Sequence, residues 1–465
     1  MIKSLAEVSS EARSHTAGRD SLARFFLIIV LGILPVGTMA QMATEHPPPS
    51  VQRLGEAPLP EDAEVALAES INLPALIRTA VERNPKLKAA RAKWQAMIEK
   101  YPQVTALPDP MFGYSFFLRR VETRVGPQRH RFGFSQSFPY PGTLDAAGQV
   151  VQKGIAIEQV KYEQTVRDLI VDLKLSYHEL TYLQRAKEIT QQNQQLLDHI
   201  LTIANTRYAE GEATLNDVLK AQSQLAQLSY DLILLQELEE VERANINALL
   251  SVPSTTSLGP PTPVTYTAID IPFADLEAQA LTRRHELQIA ELMIQKATEA
   301  VALAELKTKP MFKLDFMTVE TGGALMPDTP GSGKNPFTIG LGISIPWSSS
   351  KNRSQIAEAE LKRSAAVENK RSMEDMTLAN LKKIYFRLEN ARRLVDLYED
   401  SLIPQVEQAM EVAETWHQQG MKSVAGFLET QSVWLNFNLA RMRAIADYQQ
   451  NLVRLERLVG GSIVE

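Results

Sequence analysis

Residues 337–347 alternate without a break. Phe337, Ile339, Leu341, Ile343, Ile345 and Trp347 fall on one side; Thr338, Gly340, Gly342, Ser344 and Pro346 fall on the other. A period of two predicts a strand between two different surroundings. One face is large and apolar, and the other is small and polar, with nothing to fill a core. The same pattern occupies 131–140, where Phe132 and Phe134 alternate with Gly133, Ser135 and Ser137. Both runs close with proline and an aromatic residue. Shorter alternating runs at 112–118 (Phe112, Tyr114, Phe116, Leu118) and 312–316 (Phe312, Leu314, Phe316) precede them, giving four predicted strands.

After each strand pair the period changes to that of a helix. Residues 144–208 contain no proline, and Val166, Leu169, Leu173, Leu180 and Leu183 keep a three/four spacing with one polar gap at Ser176. Leu381, Tyr385, Leu388, Val395, Leu402 and Val406 do the same within a helix predicted over 354–419. Such seams belong to coiled coils. Roughly 60 residues at 1.5 Å each span about 90 Å, so these helices must pack side by side rather than within one globular core. Gly211 and Gly420 break them, and further long helices follow, from about 216 to 250 and up to Val459. Shorter helical segments lead each half, the first interrupted at Asn84-Pro85. The order is therefore given twice. In alignment, 284–287 stand opposite 83–86, and 309–312 opposite 109–112.

Prolines mark the boundaries. The expected organisation is a secretory signal over 1–40, a Pro-rich extended arm over 41–72, a first repeat over 73–250, a linker over 251–272, a second repeat over 273–460 and a short tail, 461–465. The signal rests on Arg19 and Arg24, an apolar run from Phe25 to Leu34 and small residues up to Ala40. That run is short of the roughly 20 residues that span a bilayer comfortably.

Composition removes several classes of function. The 465 residues carry a formal net charge of -6, so no basic excess points to nucleic acid. The chain has no cysteine, which excludes disulfides, thiolate metal sites and a cysteine nucleophile. Gly331-Ser332-Gly333-Lys334 fails as a phosphate loop: Asp328 stands where the first glycine belongs and Asn335 where Ser or Thr belongs. His178-Glu179 lacks the second histidine of a zinc-protease helix, and no histidines pair at ligand spacing. Met111, Met311, Met317 and Met326 have the softness to pass soft cations, although methionine near a strand more often packs. Nothing forms a catalytic set, so neither an enzyme, a cofactor site nor a metal site is expected. The Glu/Lys/Gln tracts read as solvated helix faces.

Four strands with an apolar outer face leave two bare edges, which cannot lie in lipid. If the pattern is a membrane pattern, other copies of the chain must close the sheet, and the small polar face would line a water-filled pore. The fold class expected is mostly α with a small β part: long antiparallel coiled-coil helices joined to four transmembrane strands per chain.

The doubled order resembles the TolC-like outer membrane efflux protein family. Asn84-Pro85-Lys86-Leu87, Pro108-Asp109-Pro110-Met111, Phe138-Pro139-Tyr140-Pro141-Gly142 and Tyr208…Gly211…Asp217-Val218-Leu219…Ala221-Gln222 carry the resemblance, which covers about 73–459. It implies a homotrimer in the cell outer membrane, with a shared twelve-strand barrel and a periplasmic α-barrel. It also implies a periplasmic adaptor protein and an inner-membrane resistance-nodulation-division pump as partners. The proline motifs are similar to those of the heavy-metal cation branch; a duct for drugs or organic solutes is the alternative, and a secreted coiled-coil scaffold the alternative of another class. By resemblance, adaptor docking falls at Gly211, Glu212, Ala213 and Thr214 and at Gly420, Met421, Lys422 and Ser423. Glu429 matches a tunnel-entrance acid and Asp217 its counterpart in the first repeat, while Gly426 departs from the acidic pattern. The lipid-facing set expected is Phe132, Phe134, Phe312, Leu314, Phe316, Ile339, Leu341, Ile343 and Ile345.

Overall fold

The computed structural model describes residues 69–262, 265–418 and 424–463. The predicted signal, most of the arm and the second glycine turn, 419–423, lie outside them. Helices α1 (Leu73–Arg83) and α2 (Pro85–Ile98) meet at Asn84. Its Oδ1 accepts from the Lys86 backbone N–H at 2.9 Å, while its Nδ2 donates to the Leu249 carbonyl at 2.9 Å. Pro85 costs nothing at a first helical position, where no N–H partner is needed. A short α3 (Lys100–Thr105) leads to the strands.

The second repeat opens with α6 (Phe273–Arg283) and α7 (His285–Leu306), which meet at Arg284. Arg284 therefore stands opposite Asn84, one position away from the alignment expected of the sequence. Leu76 and Leu276, Ala80 and Ala280, and Leu87 and Leu287 are buried at this same offset. The second corner has no proline, so the sequence does not mark it.

Strands β1 (Met111–Phe116), β3 (Gly126–Phe138), β4 (Met311–Thr321) and β5 (Phe337–Ser344) form an antiparallel sheet in the order β1-β3-β4-β5. A two-residue strand β2 (Glu122–Thr123) pairs with the start of β3 and was not expected. Leu118 and Ile345 fall just outside the strands assigned to them. Among the described residues, β1 and β5 each keep one edge without a partner.

The helical part rests on α4 (Thr143–Ala209), 67 residues long, which at 1.5 Å per residue runs about 100 Å. It packs against α2, α5 (Leu215–Leu250), α7 and α10 (Val424–Val459). The expected seam residues Val166, Leu169, Leu173, Leu180 and Leu183 are all buried. Near the turn at Gly211, Leu197, Ile200 and Ala204 of α4 meet Val218, Ala221 and Leu228 of α5 and Phe427, Leu428 and Leu435 of α10. A second cluster joins Leu276 and Ala280 to Leu381 and Leu388 of α8 (Ser349–Leu397) and to Tyr448, Leu455 and Val459 of α10.

The helix expected over 354–419 is not continuous. A π-helical turn, Tyr398–Leu402, separates α8 from α9 (Ile403–Gln418). The Ile403 N–H reaches back to the Tyr398 carbonyl. Pro404 accounts for the change: it has no N–H for a regular bond, and its ring crowds the preceding turn. The polar tracts also depart from expectation, because Glu239 and Glu456 are buried. Lys187 and Arg243 hold Glu239 at 2.9 and 2.8 Å, and Lys174 holds Glu456 at 2.6 Å. Buried carboxylates need such partners.

Candidate channel wall and helical tip

The register puts the bulky strand residues on one face. Phe112, Phe134, Phe316 and Ile339 form one cross-strand row; Phe138, Phe312 and Ile343 form another; Leu314 stands beside Gln136 and Leu341. Phe132 lies between Tyr114 and Thr318 in a further row. The predicted lipid-facing residues inside the strands thus share one face, and Leu341 is 85% exposed on it. Aromatic packing across strands, with Phe134 and Phe316 centroids 6.4 Å apart, supports the sheet from that side.

The opposite face carries Gly113, Gly133, Ser135, Ser137, Thr338, Gly340, Gly342 and Ser344. Lys313 and Asp315 lie on it and pair at 3.0 Å. Met111, Met311 and Met317 fall on this polar face as well. Their common placement needs the cross-strand register, which spacing alone does not supply. Among the described residues, no group of three or more His, Asp or Glu has the arrangement to hold a metal ion, and no helix is long and apolar enough to cross a membrane.

At the other end of α4 the chain reverses through 210–214. Gly211 has φ +80°, a left-handed conformation cheap only for glycine. The Arg207 carbonyl accepts from Glu212 N at 2.8 Å and from Ala213 N at 3.2 Å, closing the helix. Glu212 and Thr214 are exposed and Ala213 half-buried. Tyr208, Leu215 and Leu219 add exposed apolar surface around the turn. Sequence reasoning did not single out Leu215 and Leu219 as tip residues, because their spacing equals that of ordinary packing positions.

Asp217 and Glu429 differ. Glu429 is exposed on the first turns of α10. Asp217 is buried and completes a capping box: its carboxylate accepts from Thr214 N at 3.1 Å and Thr214 Oγ1 at 2.7 Å. The backbone of Ala425 also donates to it. Burial pushes its pKa up, but these hydrogen bonds and nearby Lys220 outweigh burial and leave it below the usual carboxylate range. The Asp217 carboxylate is thus engaged by two helix starts. Higher on α4, burial is the main cause that lowers the pKa of His178 to about 4, with Lys174 adding to it; the bond to Gln449 and the charge of Glu456 oppose the shift.

A two-faced antiparallel sheet joined to helices of this length defines a class: channel-wall proteins whose strands sit in a membrane and whose helices stand clear of it. The family model described as "Outer membrane efflux protein" matches residues 76–251 and 276–461. The chain belongs to the outer membrane efflux protein family. It is an outer-membrane efflux channel, passive rather than enzymatic, with its helical part in the periplasm. This sets aside the secreted scaffold.

Solved structures share the fold. VceC of Vibrio cholerae superposes with a TM-score of 0.69 at 19% identity, over 84% of this chain and 97% of that one. A membrane protein from Pseudomonas aeruginosa gives 0.73 at 15% identity, over 86% and 92%. The CmeC outer membrane channel of Campylobacter jejuni gives 0.70 at 16%, over 84% and 86%. Comparison with curated protein sequences gives no significant match.

Proposed function

We propose that three copies of the chain close their four long strands into a twelve-strand barrel, and that the duct so formed discharges heavy-metal cations delivered by a pump and a periplasmic adaptor. The observation that carries the assembly is the sheet itself. It has one apolar face, one polar face and, among the described residues, two free edges, and free edges must be paired in lipid. The adaptor docks at the turn around Gly211 and at its counterpart 419–423, and Glu429 lines the tunnel mouth.

The choice of metal cations is supported by Met111, Met311 and Met317 on the polar face, since thioethers are soft ligands. The proline motifs flanking the first strand pair support it too. Cells deprived of their own channel, given this chain with a heavy-metal pump and its periplasmic adaptor, should gain tolerance of heavy-metal salts. Gain of tolerance to organic drugs alone would overturn the metal assignment and leave the duct.

A further inference from the structure

Tyr114, Phe116, His130 and Phe132 sit together on the apolar face, at the end of the sheet away from the helices. The Tyr114 hydroxyl and His130 Nδ1 share a hydrogen bond of 2.8 Å, and the rings of Phe116 and His130 lie 5.1 Å apart. Aromatic residues with polar tips mark the level where a barrel leaves the hydrocarbon for the headgroups. The chain then enters the hairpin 117–125. Within it stand Arg119, Arg120 and Arg124 against a single acid, Glu122, in a chain whose overall charge is -6. All three arginines are exposed. Among the described residues none of the three has an acidic partner within ion-pair distance. Leu118, 90% exposed, and Val121 alternate with them.

The hairpin is held in place. Gly322 N donates to the Pro127 carbonyl at 2.8 Å, and Gly333 N donates to the Val125 carbonyl at 2.8 Å. Gly126 adopts φ +130°, and any Cβ there would collide with the Gly322 carbonyl. The cations are therefore presented from a fixed turn, which spares them part of the ordering cost of binding.

We propose that the hairpin 118–124 binds the phosphate groups of phosphorylated lipids in the outer leaflet, with Arg119, Arg120 and Arg124 as the phosphate ligands and Leu118 and Val121 entering the acyl boundary. Guanidinium groups suit phosphate because they offer paired donors and hold their charge at any pH. Clustered cations beside a membrane segment are a recognised headgroup-binding arrangement. The assignment rests on the reading that this end of the sheet faces outward. Arg131 provides the contrast, since its register partners Ser115 and Val319 place it on the polar face.

The test uses the full chain purified in neutral detergent and titrated in native mass spectrometry. The probes are a bisphosphorylated glucosamine lipid, its dephosphorylated form of the same acyl composition, and inorganic phosphate. The parent should retain the phosphorylated lipid and not the dephosphorylated one. Each arginine changed to glutamine should weaken retention about fivefold, and the triple variant about a hundredfold. Arg131→Gln should leave it unchanged. The single variants decide the matter if the triple variant does not fold. Equal retention of the two lipids, parent-like binding by the variants, or competition by inorganic phosphate at lipid-like concentrations would overturn the proposal. The same spectra read the subunit number, so a failed assembly is told apart from failed lipid binding.

Discussion

Thr214 and Asp217 cap each other. The Thr214 hydroxyl donates to the Asp217 carboxylate at 2.7 Å, and the Asp217 N–H donates back to the same hydroxyl at 3.3 Å. Because Ala425 also donates to this carboxylate, one side chain fastens the starts of α5 and α10 beside the turn at Gly211. Asp217→Asn should loosen the tip by about 1 kcal/mol, the worth of a cap, and raise its hydrogen exchange without changing ion selectivity. Its depressed pKa gives the sign with pH. The stabilisation is complete above the unfolded carboxylate's range and is lost as pH falls through the folded value. An unchanged exchange rate would show that the cap contributes nothing.

Glu429 should behave in the opposite way. It is exposed, so Glu429→Gln should alter single-channel conductance or cation selectivity in a planar bilayer and leave adaptor pull-down intact. Ala213→Trp should abolish the pull-down and leave conductance unchanged. Parent-like results from both variants would remove both site assignments.

The two faces of β5 can be tested one residue apart. Leu341 is on the apolar face and Gly342 on the polar one. Leu341→Arg should lower the membrane yield sharply, since arginine on the lipid face of a barrel costs about 2–4 kcal/mol at the midplane. Gly342→Ser should insert normally. Equal yields would mean that the facing is reversed or that the sheet is not in lipid.

His178 should make the helical part sensitive to acid. Its folded pKa, about 4, lies below the ordinary histidine value of about 6.5. The unfolded chain therefore takes up a proton more readily than the folded one. Stability is complete above about pH 6.5 and falls toward pH 4, by on the order of 3 kcal/mol. His178→Gln should flatten the fall in melting temperature across that window. An identical pH profile for parent and variant would contradict the assignment.

Periodicity reveals most of this fold, for a physical reason. A strand between lipid and water has to alternate, and a helix about 100 Å long has to keep its seam over many turns. The buried seam from Val166 to Leu183 and the shared face of Phe134, Phe316 and Ile339 follow from those demands. What escapes the pattern depends on contacts between distant segments. Arg284 replaces Asn84 at the second corner without a proline to mark it. Its NH1 donates to Thr377 Oγ1 at 2.6 Å, a contact far along the chain. The buried state of Asp217 depends on α10 arriving beside it, and the methionines meet on one face only through strand register. Pro404 was visible in the sequence, but a proline can equally end or kink a helix, and only the structure shows that a π-helical turn absorbs it.

In the proposed assembly, further copies of the chain pair the free edges of β1 and β5. Native mass spectrometry of the detergent-purified protein tests it most directly. A complex of three chains, with no folded monomer, is the result predicted. A stable, folded monomer of one chain mass would contradict it.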